Sequence, residues 1–221
     1  MSQRGTFRDP TSGGMACRPW PPPAGASRRA RLGAALALLL GLTLGPAALA
    51  STLTIERTAD GCRVHGSFVA AADRAVAWAV ITDYEDIPRF VKAVRSSRLE
   101  RGPDGVRLLR QKAEGGVLFL HETIEVLLEL TEDPERSLAF RDRSGDDFSL
   151  YSGAWRLAPD SAGTRVDYDL TAEPRGVLAR ALCRSALRRS SSDLLEQVRA
   201  EILRRAASSG AHGLGSAPGE H

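Results

Sequence analysis

The chain has 221 residues, enough for one domain with extensions at its ends. Its net charge of +3 does not belong to that domain: the first fifty residues hold six arginines and one acid, which leaves 24 basic and 26 acidic side chains from Ser51 on. A net of −2 there carries no footprint for nucleic acid, and no nucleic-acid partner is expected. Arginine outnumbers lysine 28 to 2, which reads as compositional bias because no arginine cluster follows a binding motif.

Residues 1–50 read as a leader. Arg28, Arg29 and Arg31 precede an apolar run from Leu32 to Leu44; Gly45 and Pro46 break it, and Ala48-Leu49-Ala50 follows. A charged stretch, an apolar stretch and a small-residue site make a secretory signal peptide, with cleavage expected near Ala50. Counted through to Ala50 the run reaches 19 residues. A membrane span needs ~20, so an uncleaved anchor is the alternative. Arg31 stands where a twin-arginine signal wants a large apolar residue, which favours ordinary secretion. Ser51, where a lipoprotein would need cysteine, argues against lipidation, and Met15 is a second candidate start. The remainder is expected to be periplasmic or secreted.

Two alternating runs, Leu53 to Thr58 and Cys62 to Val69, flank Asp60-Gly61, a hairpin signal. Ala72 to Thr82 reads as a helix with Val76, Ala79 and Val80 as its apolar stripe, and Tyr84 to Val91 as a second, short one. Strands are then expected at Val94–Glu100, Val106–Ala113, Val117–Leu130, Leu138–Asp142, Phe148–Leu157 and Thr164–Ala172, separated by Gly-, Pro- and Asp-rich turns. From Arg175 to Ala206 apolar residues recur at helical spacing: Leu178, Leu182, Cys183, Leu187, Leu194, Leu195, Val198 and Ile202. Ser190-Ser191-Ser192-Asp193 is a weak capping signal at which this helix is expected to kink or restart. Residues 207–221 have no core-forming pattern and read as a disordered tail. Consecutive strands with short turns make an antiparallel sheet, and the long helix must cover one of its faces. The expectation is an α+β domain over residues 51–206, with a curved sheet of six or seven strands around a long C-terminal helix.

The stretch Trp78-Ala-Val-Ile-Thr-Asp-Tyr-Glu-Asp-Ile-Pro-Arg-Phe90 resembles the helix-grip superfamily of START-like lipid-binding domains. More narrowly it resembles the polyketide cyclase/dehydrase and coenzyme Q-binding branch, with a tryptophan-containing helix, an Asp-Tyr pair and a proline-containing short helix. Tyr151-Ser-Gly-Ala-Trp-Arg-Leu157 and Thr164-Arg-Val-Asp-Tyr168 resemble that branch's paired late strands; Lys92 stands where many relatives have proline. The resemblance spans roughly residues 62–204 and implies a helix-grip fold whose ligand is a lipid, an isoprenoid quinone or a polyketide-like aromatic. It also implies transient contact with a membrane. It gives no oligomeric state. In that arrangement Cys62, on the first strand's apolar side, and Cys183, on the helix's apolar stripe, could approach. Of the three cysteines Cys17 lies in the leader, so the exported chain is expected to hold two, and an even count in an oxidising compartment admits a bridge. The strict geometry of a disulfide favours two separate buried cysteines instead.

Glu122 is the sharpest chemical candidate. Alternation through Val117–Leu130 places it with Leu118, Leu120, Ile124, Val126, Leu128 and Leu130 on the face meant for the helix. A carboxylate there could anchor a polar head group or act as an acid/base; a salt bridge, for instance to Arg110, is the bland reading. Tyr151 and Trp155 share a strand face with Gly153 between them, leaving room for a ligand or marking sheet curvature, and Tyr168 follows with Val166 and Leu170. The expected cavity lining is Leu120, Glu122, Ile124, Tyr151, Trp155, Tyr168, Leu187 and Leu194, around a hydrophobic small molecule or lipid. Asp83 and Tyr84 read as helix-terminating and turn-shaping residues, and Trp78 as packing. His65 and His121 fall on the solvent faces, and no histidine pair has ligand spacing, so no metal, no cofactor and no catalytic set is expected. The expected function is an exported carrier of an apolar ligand; the alternatives are a cyclase/dehydrase using Glu122 and a tyrosine, which the export leader disfavours because such substrates are usually made in the cytoplasm, and an interaction module with a filled core.

Overall fold

The computed structural model describes residues 51–103, 105–117 and 120–213, with side chains outside 115–122 and 210–213. The expected signal peptide lies outside the described residues, as does the end of the tail from 214 on. In chain order the elements are β1 (Thr52–Arg57), β2 (Cys62–Ala70), α1 (Arg74–Ile81), α2 (Ile87–Phe90), β3 (Val94–Arg101), β4 (Arg107–Val117), β5 (Leu120–Asp133), β6 (Ser137–Asp142), β7 (Phe148–Asp160), β8 (Gly163–Pro174) and α3 (Val177–Gly213). The strands form one antiparallel sheet in the order β1-β2-β8-β7-β6-β5-β4-β3. This is the expected α+β helix-grip fold, a curved open sheet with a long C-terminal helix. There are eight strands rather than six or seven, because every alternating run pairs, including β1 as the outermost strand.

Period-two burial sets the inner face. In β2, Cys62, Val64, Gly66, Phe68 and Ala70 are buried, and in β8 so are Thr164, Val166, Tyr168, Leu170 and Ala172. The helix α3 runs across this face and buries Cys183, Ser191, Leu195, Val198 and Ile202. It passes close over Gly66, where a Cβ would overlap Leu195 Cδ1. A glycine in that strand lets the helix sit directly on the backbone. At one end of the sheet α1 completes the core with Ala77, Val80 and Ile81, followed by Tyr84. Ala79, expected on that stripe, is exposed. The face defined by Val80 and Ile81 runs back through Ala77 at i−3 and i−4, not through Ala79.

α3 is one helix of 37 residues, starting at Val177 and continuing seven residues past the expected end at Ala206. Nor does it restart at the serines. Ser190 Oγ donates back to the Ala186 carbonyl at 3.1 Å, so the hydroxyl bonds within the helix instead of capping a new one. Ser191, 3% exposed, sits on the packed face. The preference for two separate cysteines is also overturned. Cys62 and Cys183 are bridged, with Cα atoms 6.3 Å apart, because α3 leaves β8 alongside β2 and brings Cys183 over the start of that strand.

Candidate functional site

The inner face of β6, β7 and β8 carries an aromatic cluster. Trp155 and Tyr168 are register partners with ring centroids 4.5 Å apart. Phe148 and Tyr151 lie 4.8 Å apart, and Phe140 lies 6.0 Å from Tyr151 and 6.5 Å from Tyr168. Gly153 does not leave space for a ligand: a Cβ there would overlap the Asp169 carbonyl oxygen and meet Phe140 Cζ at 2.6 Å. The Phe140 ring fills the position, and the neighbouring strand's backbone crowds it.

On the β5 side, Val126, Leu128 and Leu130 are buried and Ile124 half-buried, while Thr123 and Glu125 are exposed. Their β4 partners are Gln111, Leu109, Arg107 and Ala113 respectively. Gln111 Nε2 donates to Ser97 Oγ at 3.1 Å. From α3, Leu187 and Leu194 pack against the same core while remaining only partly buried, as do Ile124, Phe140, Phe148 and Tyr151. Six of the expected lining residues, Ile124, Tyr151, Trp155, Tyr168, Leu187 and Leu194, are therefore inner-face or helix-face residues of the core. The side chains of Leu120 and Glu122 lie outside the described residues. In register Glu122 is opposite Gly115, which brings no side chain to the position. Its suggested partner Arg110 is occupied elsewhere, donating to both carboxylate oxygens of Glu100 at 2.9 and 3.2 Å.

Two hydroxyls are the polar feature of this wall. The hydroxyls of Tyr151 and Tyr168 interact with each other. Burial pushes Tyr151 up to about 12, and pushes Tyr168 well above the ordinary tyrosine value, with the neighbouring Tyr151 adding to it. Both are protonated at neutral pH, so neither serves there as a base. A phenolic hydroxyl both donates and accepts, so a carbonyl or hydroxyl oxygen of a bound molecule can pair with Tyr151.

Sequence reading missed three contributors. Phe140 carries a signal, since it shares the inward parity of Leu138; Phe148 carries none, because its parity is opposite to that of Tyr151 and Trp155 and a register shift between Phe148 and Leu150 separates it from them. Asp142 carries none: its carboxylate accepts from the amides of Leu127, Ser144 and Gly145 at 3.0, 3.1 and 3.1 Å, clamping the turn between β6 and β7. Burial works to raise that carboxyl, but these hydrogen bonds hold it below its usual value. Asp83 and Tyr84 do shape the turn after α1, where the Asp86 amide donates to the Asp83 carbonyl at 3.1 Å. They also reach across the fold. Arg205 of α3 pairs with Asp83 at 2.8 Å, and the buried Tyr84 hydroxyl donates to Glu132 at 2.6 Å, with Arg107 on the same carboxylate. Trp78 packs against the core as expected. His65 is on the solvent face as expected, its Nδ1 2.9 Å from Asp169; His121 has no described side chain.

The profile of the family described as polyketide cyclase/dehydrase and lipid transport matches residues 61–202. No curated protein matches the chain by sequence. Among solved structures, the Zhui aromatase/cyclase from a Streptomyces species is 20% identical, with a TM-score of 0.53 over 67% of this chain and 97% of that one. A START superfamily protein from Mycobacterium smegmatis is 17% identical, with a TM-score of 0.51 over 66% of this chain and 97% of that one. A STAR-related lipid transfer protein from Xanthomonas axonopodis is 13% identical, with a TM-score of 0.53 over 69% of this chain and 93% of that one. At these identities the likeness is one of fold, and it is the profile match across most of the domain that assigns the sequence: the chain belongs to the polyketide cyclase/dehydrase and lipid transport family.

Proposed function

We propose that this protein is an exported carrier that holds an apolar small molecule between the inner sheet face and α3. A lipid, an isoprenoid quinone or a polyketide-like aromatic fits the lining. The observation that carries the reading is the set of half-buried apolar residues packed against the inner core, Ile124, Phe148, Tyr151, Leu187 and Leu194, with the Tyr151 hydroxyl among them. Apolar pockets with a few placed polar groups are the usual form of a small-molecule site. Tyr151 donates to an oxygen of the ligand, and Glu122 stands at the β4–β5 end of the same face as a second polar anchor. The family's two named activities and the neighbours titled as an aromatase/cyclase and a lipid transfer protein support the ligand class.

Export is supported by the leader pattern and by the Cys62–Cys183 bridge, a bond that persists in oxidising compartments. Sequencing the N-terminus of protein from its native host should give Ser51; retention of residues 32–50 in the membrane fraction would overturn cleavage.

Binding is tested by titration with a long-chain fatty acid, a short-tailed quinone and a tricyclic aromatic polyketide, followed by tryptophan fluorescence. At least one should change the emission saturably, and Trp155→Phe should remove most of that change. No saturable response to any class would overturn the carrier reading. The protonated tyrosine pair also suits an acid in a cyclase, the second reading; turnover of a polyketide probe that Glu122→Gln abolishes would favour it.

A further inference from the structure

Among the described residues, two large apolar side chains are strongly exposed: Val177 at 77% and Leu178 at 63%. They are adjacent in the first turn of α3, and every residue from Arg175 to Ala181 is exposed. Five consecutive exposed helical residues exceed one turn, so no face of this tip packs on the sheet.

Residues 175–192 carry five arginines, Arg175, Arg180, Arg184, Arg188 and Arg189, and no acid. Arg180, Arg184, Arg188 and Arg189 have no ion-pair partner among the described residues. Elsewhere in the fold Arg95, Arg107, Arg110, Arg143, Arg156, Arg165, Arg204 and Arg205 all face carboxylates. Arg63, Arg101 and Arg141 also lack an ion pair among the described residues, but they are scattered over three strands, whereas the four on α3 fall within residues 180–189 with no acid between them. Arg184, Arg188 and Arg189 line an open cleft of about 620 Å³ with Arg57, Ser185, Ser192 and Asp193, the last being its one acid. Arg57 is fixed there by donating to the Ala181 carbonyl at 2.7 Å.

We propose that the first half of α3 docks on a bilayer containing anionic phospholipid. Val177 and Leu178 enter the acyl region, the arginines take lipid phosphates, and the arginine-lined cleft seats one head group. Unpaired cations beside exposed apolar residues match an anionic interface in charge and in hydrophobicity. Each arginine at such a surface multiplies binding by roughly fivefold. The bridge holds this segment to β2 at the Cys62 end of the sheet, where Tyr151 is the register partner of Ala172 and Ala172 of Cys62. The docking surface therefore adjoins the end of the apolar wall nearest Phe148 and Tyr151. The reading of that wall as a ligand site gives docking a purpose, but the lipid contact does not depend on it.

Flotation of the purified protein with vesicles of pure phosphatidylcholine, and with vesicles containing about 30 mol% phosphatidylglycerol, tests the proposal. Flotation should occur with the anionic vesicles, weaken at high salt, and fall at least tenfold in Arg184→Glu/Arg188→Glu. Val177→Ser/Leu178→Ser should also weaken it, with the thermal unfolding transition of both variants unchanged. Equal flotation on both vesicles, or no effect of the charge reversals, would overturn it, as would saturation of the cleft by inorganic phosphate without any flotation. Extracting bound small molecules from the same samples separates the two readings: retained ligand without flotation removes docking alone, and flotation of a protein that never holds ligand removes the carrier alone.

Discussion

Tyr151 and Tyr168 are chemically alike and differently placed. Tyr168 is buried in the core and Tyr151 only partly buried at its margin, so the same truncation has different consequences. Tyr151→Phe should lower ligand affinity roughly threefold to tenfold. Tyr168→Phe should leave affinity nearly intact and cost about 1 kcal/mol in unfolding free energy; titration alongside urea unfolding checks both, and equal losses of affinity would contradict the assignment of Tyr151 to the ligand. Gly153→Ala forces a methyl against the Asp169 carbonyl and the Phe140 ring, for a cost of about 1–3 kcal/mol in unfolding free energy. Glu201 has its own pH signature. The hydrogen bond from Arg204 is the main cause, and with Arg205 it outweighs burial and holds the carboxyl at about 2, below the ordinary 4.5. A depressed folded-state pKa means stability that is full above pH 4.5 and lost as pH falls from there toward 2. Thermal melts across that window should show the loss, and Glu201→Gln should flatten it.

At the scale of elements, α3 is held very unevenly. Its second half buries Leu195, Val198 and Ile202 and is latched by Arg205 to Asp83. Its first half is exposed through most of Arg175 to Ser190, with Cys183 as its buried anchor on β2. Closing a loop with a sequence separation of 121 contributes about 5 kcal/mol in the chain-entropy model. Unreduced protein starting at Ser51, and so without Cys17, should show no free thiols when unfolded. Cys62→Ser/Cys183→Ser should lose several kcal/mol and be cut by trypsin first at Arg180 to Arg189. Unchanged proteolysis would mean the first half is held by something other than the bridge. The pairing itself was not readable from sequence. Two cysteines at apolar parity are equally consistent with separate burial, and only the crossing of α3 over β2 brings them together.

For the whole molecule, most of the frame was legible because it depends on periodicity. Hairpin turns, strand parity from Ile124 to Leu130 and the stripe of α3 from Cys183 to Ile202 follow from local rules and appear as read, whereas Leu178, expected on that stripe, is 63% exposed because the first turn of α3 does not pack on the sheet. What depended on tertiary approach was not legible: Phe140 filling Gly153, Asp142 clamping a turn, the serines staying helical, and Arg205 reaching Asp83. The clustering of unpaired arginines was hidden by the overall abundance of arginine in the sequence. The central claim is that the inner face holds an apolar molecule. Native mass spectrometry of the exported protein, with organic extraction and identification of whatever is released, tests it most directly. The account predicts a mass excess over the bridged chain starting at Ser51 that disappears on extraction, and a released molecule that is apolar with at least one hydrogen-bonding oxygen. Protein isolated from its host at the bare chain mass, with nothing extractable, would contradict it.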